Sequence, residues 1–182
     1  FPPISKDNIR YDKSLGGGIL NDAGCYPVNA SRMLFQSEPN GVFCKLIMDK
    51  DTQVDTKAVL LMDFNSNIQA QCSVGYDLDY QSNYRLWGSN GSLNLTRSYN
   101  IPPDMSAKLN VKNSDVEEEI MIEPVNHFKL MIESFCEEIM KSNSYNYNFE
   151  EDLLNQARVM EACRISNNEK TYVEIKEIKE YD

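Results

Sequence analysis

RYDKSLGGGILNDAGCYPVNASRMLF, residues 10–35, is the stretch on which the reading of this chain turns. Its three glycines, Gly16 to Gly18, remove side chains where the backbone must bend or let something approach closely, and an apolar segment follows at once. Taken as a helix that begins near Gly18, the segment places Asp22, Tyr26 and Asn29 on one face, with Ile19, Ala23, Ala30 and Leu34 as the stripe that can bury. A carboxylate and a phenol beside a glycine-rich bend suit proton handling where a small substrate meets a cofactor. Gly24 is a poor helix former, and Pro27, having no N–H, leaves the Ala23 carbonyl unbonded, so the helix is expected to be irregular. Spacing alone favours a second reading, in which Asp22 caps a turn and Tyr26 packs with its hydroxyl bonded.

Outward from this stretch, Phe1 to Ile9, with Pro2 and Pro3, reads as an extended lead-in. After the turn cluster Ser37-Glu38-Pro39-Asn40-Gly41, alternation predicts strands over 42–48, 56–64 and 68–76, the last two forming a hairpin across Asn65-Ser66-Asn67. Further strands are predicted over 83–87 and 92–95 around Gly88-Ser89-Asn90-Gly91, then over 107–112 and 116–122. Glu123-Pro124 marks a helix start, followed by the stripe Val125, Phe128, Ile132, Phe135 and Ile139. His127, beside that stripe, reads as a structural histidine. Asn148 and Glu150 to Asp152 open a last helix with Phe149, Leu153, Ala157, Met160 and Cys163 on its buried side, and 171–175 is a short closing strand before a frayed or edge-bound tail. Strands in the middle and helices at both ends indicate an α+β fold: a large open, mostly antiparallel or mixed sheet with helices packed on one face. Val59 and Leu61 are apolar on the side where Lys57 and Asp63 suggest solvent.

A chain of 182 residues fits a single domain over 1–182 and can bury one core without metals or disulfides. Its net charge of −10 is uneven: residues 115–182 hold 17 acidic and 7 basic residues, whereas residues 1–114 are balanced, so the whole excess lies in the last third. Such a surface repels phosphate backbones and anionic lipids, which argues against nucleic acid and membrane partners, and a solvated helical face accounts for it. Cys25, Cys44, Cys72, Cys136 and Cys163 are odd in number and widely spaced, as in a reduced cytoplasmic protein. With no CxxC and His127 as the sole histidine, no metal site is expected. The chain opens on Phe1 with no signal-like segment, and is expected to be a piece of a longer protein.

The segment GGGILNDAGCYPVNASRMLF, preceded by NIRYDKSL, resembles the GGGALxDxGCYPxxxxRxLFG signature of the glucose-fructose oxidoreductase and inositol dehydrogenase (Gfo/Idh/MocA) family. RLWGSNGSLNL (85–95) and VNHFKLMIESFCEEI (125–139) are similar to that family's late hairpin and following helix. The signature opens the second, C-terminal domain of those enzymes, so the resemblance implies that an N-terminal nucleotide-binding domain is absent from this chain. It implies a large open sheet packed on helices, whose free face commonly forms the homo-oligomer contact. Tyr26 stands where relatives carry His or Tyr, and Asp22 where they carry Asp, both at the substrate with a lysine from an EKP segment that has no counterpart here. A phenol, with an ordinary pKa of about 10, needs such a cation to transfer a proton near neutrality.

The implied chemistry is hydride transfer between nicotinamide and a carbinol carbon of a sugar, polyol or related hydroxy compound, with NAD or NADP bound mainly by the missing domain. Tyr26 would exchange the proton at the substrate oxygen and Asp22 would position or polarise the substrate. Arg10, in the NIR segment, and Gly17, in the bend, are the candidate cofactor contacts; a surface ion pair of Arg10 with Asp12 or Asp7 is the alternative. No GxGxxG or GxxxxGK[ST] occurs, so this chain has no nucleotide fingerprint of its own. The piece alone is then expected to be inactive. Two other readings stand beside it: a stand-alone binding or oligomerisation module that keeps the fold without catalysis, and an unrelated α+β enzyme using Asp22 and Tyr26 alone.

Overall fold

The structure, a computed structural model, describes residues 2–141 and 148–178. In chain order the elements are α1 (Cys25–Phe35), β1 (Gly41–Met48), β2 (Asp55–Phe64), β3 (Ile68–Gly75), β4 (Tyr84–Gly88), β5 (Gly91–Leu95), β6 (Ala107–Lys112), β7 (Glu117–Ile122), α2 (His127–Met140), α3 (Phe149–Glu169) and β8 (Val173–Glu174). The α+β class and the antiparallel pairing are as expected. The strands, however, divide into two four-stranded sheets, β3-β2-β1-β8 and β4-β5-β6-β7, in place of one large sheet, and the irregular run 76–83 separates β3 from β4. The chain forms two compact units, residues 1–79 with 149–182 and residues 80–148.

In the first unit, alternation sorts each strand into two faces. Cross-strand rows Val42–Met62–Ala70, Cys44–Leu60–Cys72 and Leu46–Ala58–Val74 form the inner face, joined in the core by Ile19, Leu20, Val28, Val159 and Cys163 from the helical segments. The outer rows Phe43–Leu61–Gln71 and Lys45–Val59–Ser73 face outward, and Phe43, Val59, Leu61 and Ile47 are exposed. The β2–β3 hairpin turns at Asn65–Asn67, as its alternation predicts, with Asn67 in the left-handed region (φ 62).

β8 pairs with β1 only at Gly41 and Val42, which would leave the rest of that strand edge open. α3 covers it with side chains: Ser166 Oγ accepts from Cys44 N–H and Asn167 Oδ1 from Leu46 N–H, each at 2.8 Å. Buried Arg32 ties α1 to α3. Its guanidinium grips Glu38 through Nε (2.6 Å) and Nη2 (2.8 Å), and reaches Asp152 (2.8 Å) and Gln156 (2.9 Å).

In the second unit, the rows Leu86–Leu93–Val111 and Leu95–Leu109–Ile120 share one face, while Arg85, Asn94, Asn110 and Glu119 align on the other. The polar face also carries Trp87, which is exposed. α2 begins at His127, later than the Glu123-Pro124 start, because Asn126 caps it by accepting from Lys129 N–H at 3.0 Å. His127 is consequently an exposed first-turn residue, and Phe128, Ile132, Phe135 and Ile139 are exposed. The closing strand is confined to Val173–Glu174 and gives way to a 3₁₀ turn at Ile175–Glu177; residues 179–182 of the tail lie outside the described residues.

Candidate functional site

The glycine bend is held by its own chain. Asn8 caps the turn Ile9–Tyr11 and Asp12 caps Lys13–Leu15, after which Gly17 N–H donates to Asp12 O and Gly18 N–H to Arg10 O, both at 2.9 Å. A Cβ on Gly17 would stand 2.6 Å from the Arg10 carbonyl oxygen and 2.8 Å from that of Asp12. The close approach at Gly17 is therefore backbone against backbone. It fixes Arg10 against the start of the helical segment.

Leu20–Gly24 is a π turn running into α1. This wider turn carries the helical segment through Gly24, with Cys25 N–H reaching back to Leu20 O, and Pro27 follows inside the same continuous segment, where it donates no hydrogen bond. Asp55, at the start of β2, accepts from Leu20 N–H at 2.6 Å and so anchors the turn to the sheet. α3 supports it from the far side, where Gln156 donates to Cys25 O at 3.0 Å and Arg164 to Asn21.

Asp22 stands in this π turn, and its Oδ2 accepts from Arg10 Nε at 2.8 Å and from the Tyr76 hydroxyl at 3.3 Å. Arg10 is thus paired with Asp22 and not with Asp12 or Asp7; Asp12 is used as a cap. The hydrogen bond to Asp22, with its charge, raises the Arg10 pKa above the ordinary value, and the fields of Tyr76 and Tyr26 add to the effect. Burial pushes the Tyr76 phenol well up, and the Asp22 carboxylate reinforces the shift. Tyr26, one turn along on α1, is 51% exposed, whereas Tyr76 is 1% exposed. Asn29, expected on the same face, is exposed as well.

The structure therefore pairs Arg10 with Asp22 at the bend, with Tyr26 one turn further along the helix and Gly17 packed against the Arg10 and Asp12 carbonyls. Tyr76 and Asp55 were not found by sequence reasoning: each lies at a strand end, where periodicity carries no signal for a polar contact. A cleft of about 890 Å3 elsewhere in this unit, bordered by Glu38, Asp63, Arg158 and Glu174, includes none of the candidate residues. Among the described residues no group of three or more His, Cys, Asp or Glu is placed to hold a metal, and no helix is long and apolar enough to cross a membrane.

What the arrangement can do is hold one carboxylate oxygen rigidly between a cation and a phenol while a second phenol faces solvent beside it. Known proteins with this fold give it a family. Residues 1–94 match the GFO/IDH/MocA C-terminal domain family, and the chain belongs to it. It is 27% identical over 164 residues to a dTDP-3,4-didehydro-2,6-dideoxy-alpha-D-glucose 3-reductase from Actinomadura kijaniata, covering 90% of this chain and 49% of that protein. It is 28% identical to a D-xylose 1-dehydrogenase (NADP(+)) from Haloferax volcanii, covering 74% of this chain and 41% of the relative. Among solved structures it resembles KijD10, a 3-ketoreductase from Actinomadura kijaniata crystallised with NADP and TDP-benzene, with a TM-score of 0.84, 26% identity, and coverage of 91% of this chain and 51% of that one. The chain spans about half the length of the curated relatives it matches.

Proposed function

We propose that this chain is the C-terminal, substrate-binding and oligomerising domain of an NAD(P)-dependent oxidoreductase acting on a sugar, polyol or related hydroxy compound. The observation that carries the reading is the Arg10–Asp22 pair at the glycine bend, with the exposed Tyr26 one helical turn further along. Family membership and the relatives' sugar and NADP chemistry support it. The nicotinamide, when bound, supplies or accepts the hydride. On this chain, Tyr26 exchanges the proton at the substrate oxygen, Asp22 orients the substrate hydroxyl, and Arg10 holds Asp22 and adds positive charge beside the phenol. The remaining Arg10 donors suit a cofactor oxyanion, but with no glycine-rich nucleotide loop on this chain the cofactor is held mainly by a preceding domain. The exposed row of Phe43, Val59, Leu61 and Ile47 is the surface through which copies associate. Cys25, Cys44, Cys72, Cys136 and Cys163 are all free, which suits a reducing cytoplasm.

The test is made in a chain that carries the dinucleotide-binding domain. Tyr26→Phe lowers kcat by about 10²-fold or more while substrate binding is retained. The 182-residue piece alone shows neither turnover nor NAD(P)H binding. An unchanged kcat in Tyr26→Phe removes that residue from the mechanism.

A further inference from the structure

The second unit contains a hollow of about 320 Å3 between the loop that follows β5 and the first turn of α2. Tyr80, Arg97, Asn100, Asn126, His127 and Phe128 line it, and the Ile101–Pro103 segment closes its apolar side. None of these residues has a role in the Asp22–Tyr26 site. We propose that this hollow binds the oxyanion group of a small organic molecule, a phosphoryl or carboxylate group, with Arg97 as its principal contact.

Charge is the first argument. The chain carries a net charge of −10, yet no carboxylate lines this hollow, so its arginine meets no internal counter-ion there. The 890 Å3 cleft of the first unit is the opposite case, with Glu38, Asp63 and Glu174 on its walls.

The second argument is the state of Arg97. Its guanidinium lies over the Tyr80 ring, 4.8 Å from the centroid, a contact that holds the plane of the fork without using any of its N–H donors. Arg97 Nε is shut off from solvent and has no hydrogen-bond partner among the described residues. A donor left unpaired out of reach of water is costly, more so on a charged group, and an acceptor that reorders the fork recovers that cost. Guanidinium donors pair best with the two oxygens of a carboxylate or phosphoryl group.

The remaining walls agree with such a ligand. α2, a helix of 14 residues, starts at the hollow, and among the described residues its first-turn N–H groups other than that of Lys129 have no side-chain cap. The Asn100 and Asn126 amides and the His127 ring add donors, while Phe128 and the prolines offer an apolar wall for an organic stem. The volume lies at the small end of ligand pockets, which start near ~300 Å3, so the hollow takes a short molecule and not a dinucleotide.

The whole chain, labelled with ¹⁵N, is titrated at constant ionic strength with inorganic phosphate and, separately, with acetate. The expected result is saturable movement of the Arg97, Asn100, His127 and Phe128 amide signals with at least one of the two, at a dissociation constant of about 1–10 mM. Arg97→Gln weakens it about tenfold or more. A response to phosphate alone assigns a phosphoryl ligand, and one to acetate alone a carboxylate. Absence of saturation with both anions overturns the proposal, as does wild-type affinity in folded Arg97→Gln. If that variant does not fold, His127→Ala, at an exposed position, decides in its place: weakened binding supports the site and unchanged binding overturns it.

Discussion

The Tyr76 hydroxyl donates to Asp22 Oδ2 at 3.3 Å, joining the end of β3 to the π turn across 54 residues of sequence. The ring is buried and stacks on Tyr11 with centroids 5.4 Å apart, so its position is fixed by packing and its hydroxyl by Asp22. Tyr76→Phe keeps the ring and removes the donor. Stability falls by about 1 kcal/mol in a urea titration and, on the proposed function, kcat/KM of a chain that carries the dinucleotide-binding domain falls because Asp22 is held by Arg10 alone.

Arg32→Met removes every polar contact between α1 and α3 that passes through the guanidinium. Glu38 and Asp152 keep part of their hydration, with side-chain exposures of 43% and 34%. The loss is therefore about 2–3 kcal/mol, below that of a fully buried pair, and is read from the shift in the denaturation midpoint. Arg32→Lys restores charge without the fork and recovers only part of it.

Gly17→Ala forces a methyl group against two carbonyl oxygens of the backbone, with no flexible side chain to yield. The bend opens, and with it the placement of Arg10 on Asp22. A drop of about 2 kcal/mol or more in stability is expected and, on the proposed function, a loss of activity comparable to that of Arg10→Ala in a chain that carries the dinucleotide-binding domain.

The thiols separate by reactivity. Burial pushes Cys72 up to about 11, against a contact with Ser31 that lowers it. Cys136 is exposed. Iodoacetamide at about pH 8 accordingly labels Cys136 first, and Cys44, Cys72 and Cys163 only after denaturation, as peptide mass mapping shows. Because an unfolded cysteine ionises near ~8.5, the unfolded state loses the Cys72 proton first, and stability falls as pH rises from there towards 11.

Leu61→Asp alters the exposed row of the first sheet while leaving its core face untouched. Its fold, by circular dichroism, is retained. Light scattering shows a smaller assembly than the wild type if that face joins copies.

Strands were the most legible part of this sequence. The alternation over 56–64 and 68–76 carried the β2–β3 hairpin because one face of that sheet is dry and a slip by one residue would turn the core outward. Glu123-Pro124 is a good first-turn pair, yet α2 starts later because Asn126, which accepts from a backbone N–H, is the better cap. At the site, spacing grouped Asp22 with Tyr26 but could not supply the rest. Arg10 has Asp7 and Asp12 as sequence neighbours yet pairs with Asp22, and the burial of Arg32 depends on Asp152 and Gln156, more than 100 residues away. Contacts of that kind are set by which elements stack, and one sequence holds no periodic trace of them.

The strand edge of β1 is sealed by Ser166 and Asn167, side chains made long after the strand itself. During synthesis the ribosome therefore releases an adhesive ribbon and must extend the chain through the whole of 80–148 before its cover emerges. A stop codon anywhere in that interval leaves an unguarded template for other nascent chains, and the expected fate of such a product is co-aggregation and proteolysis.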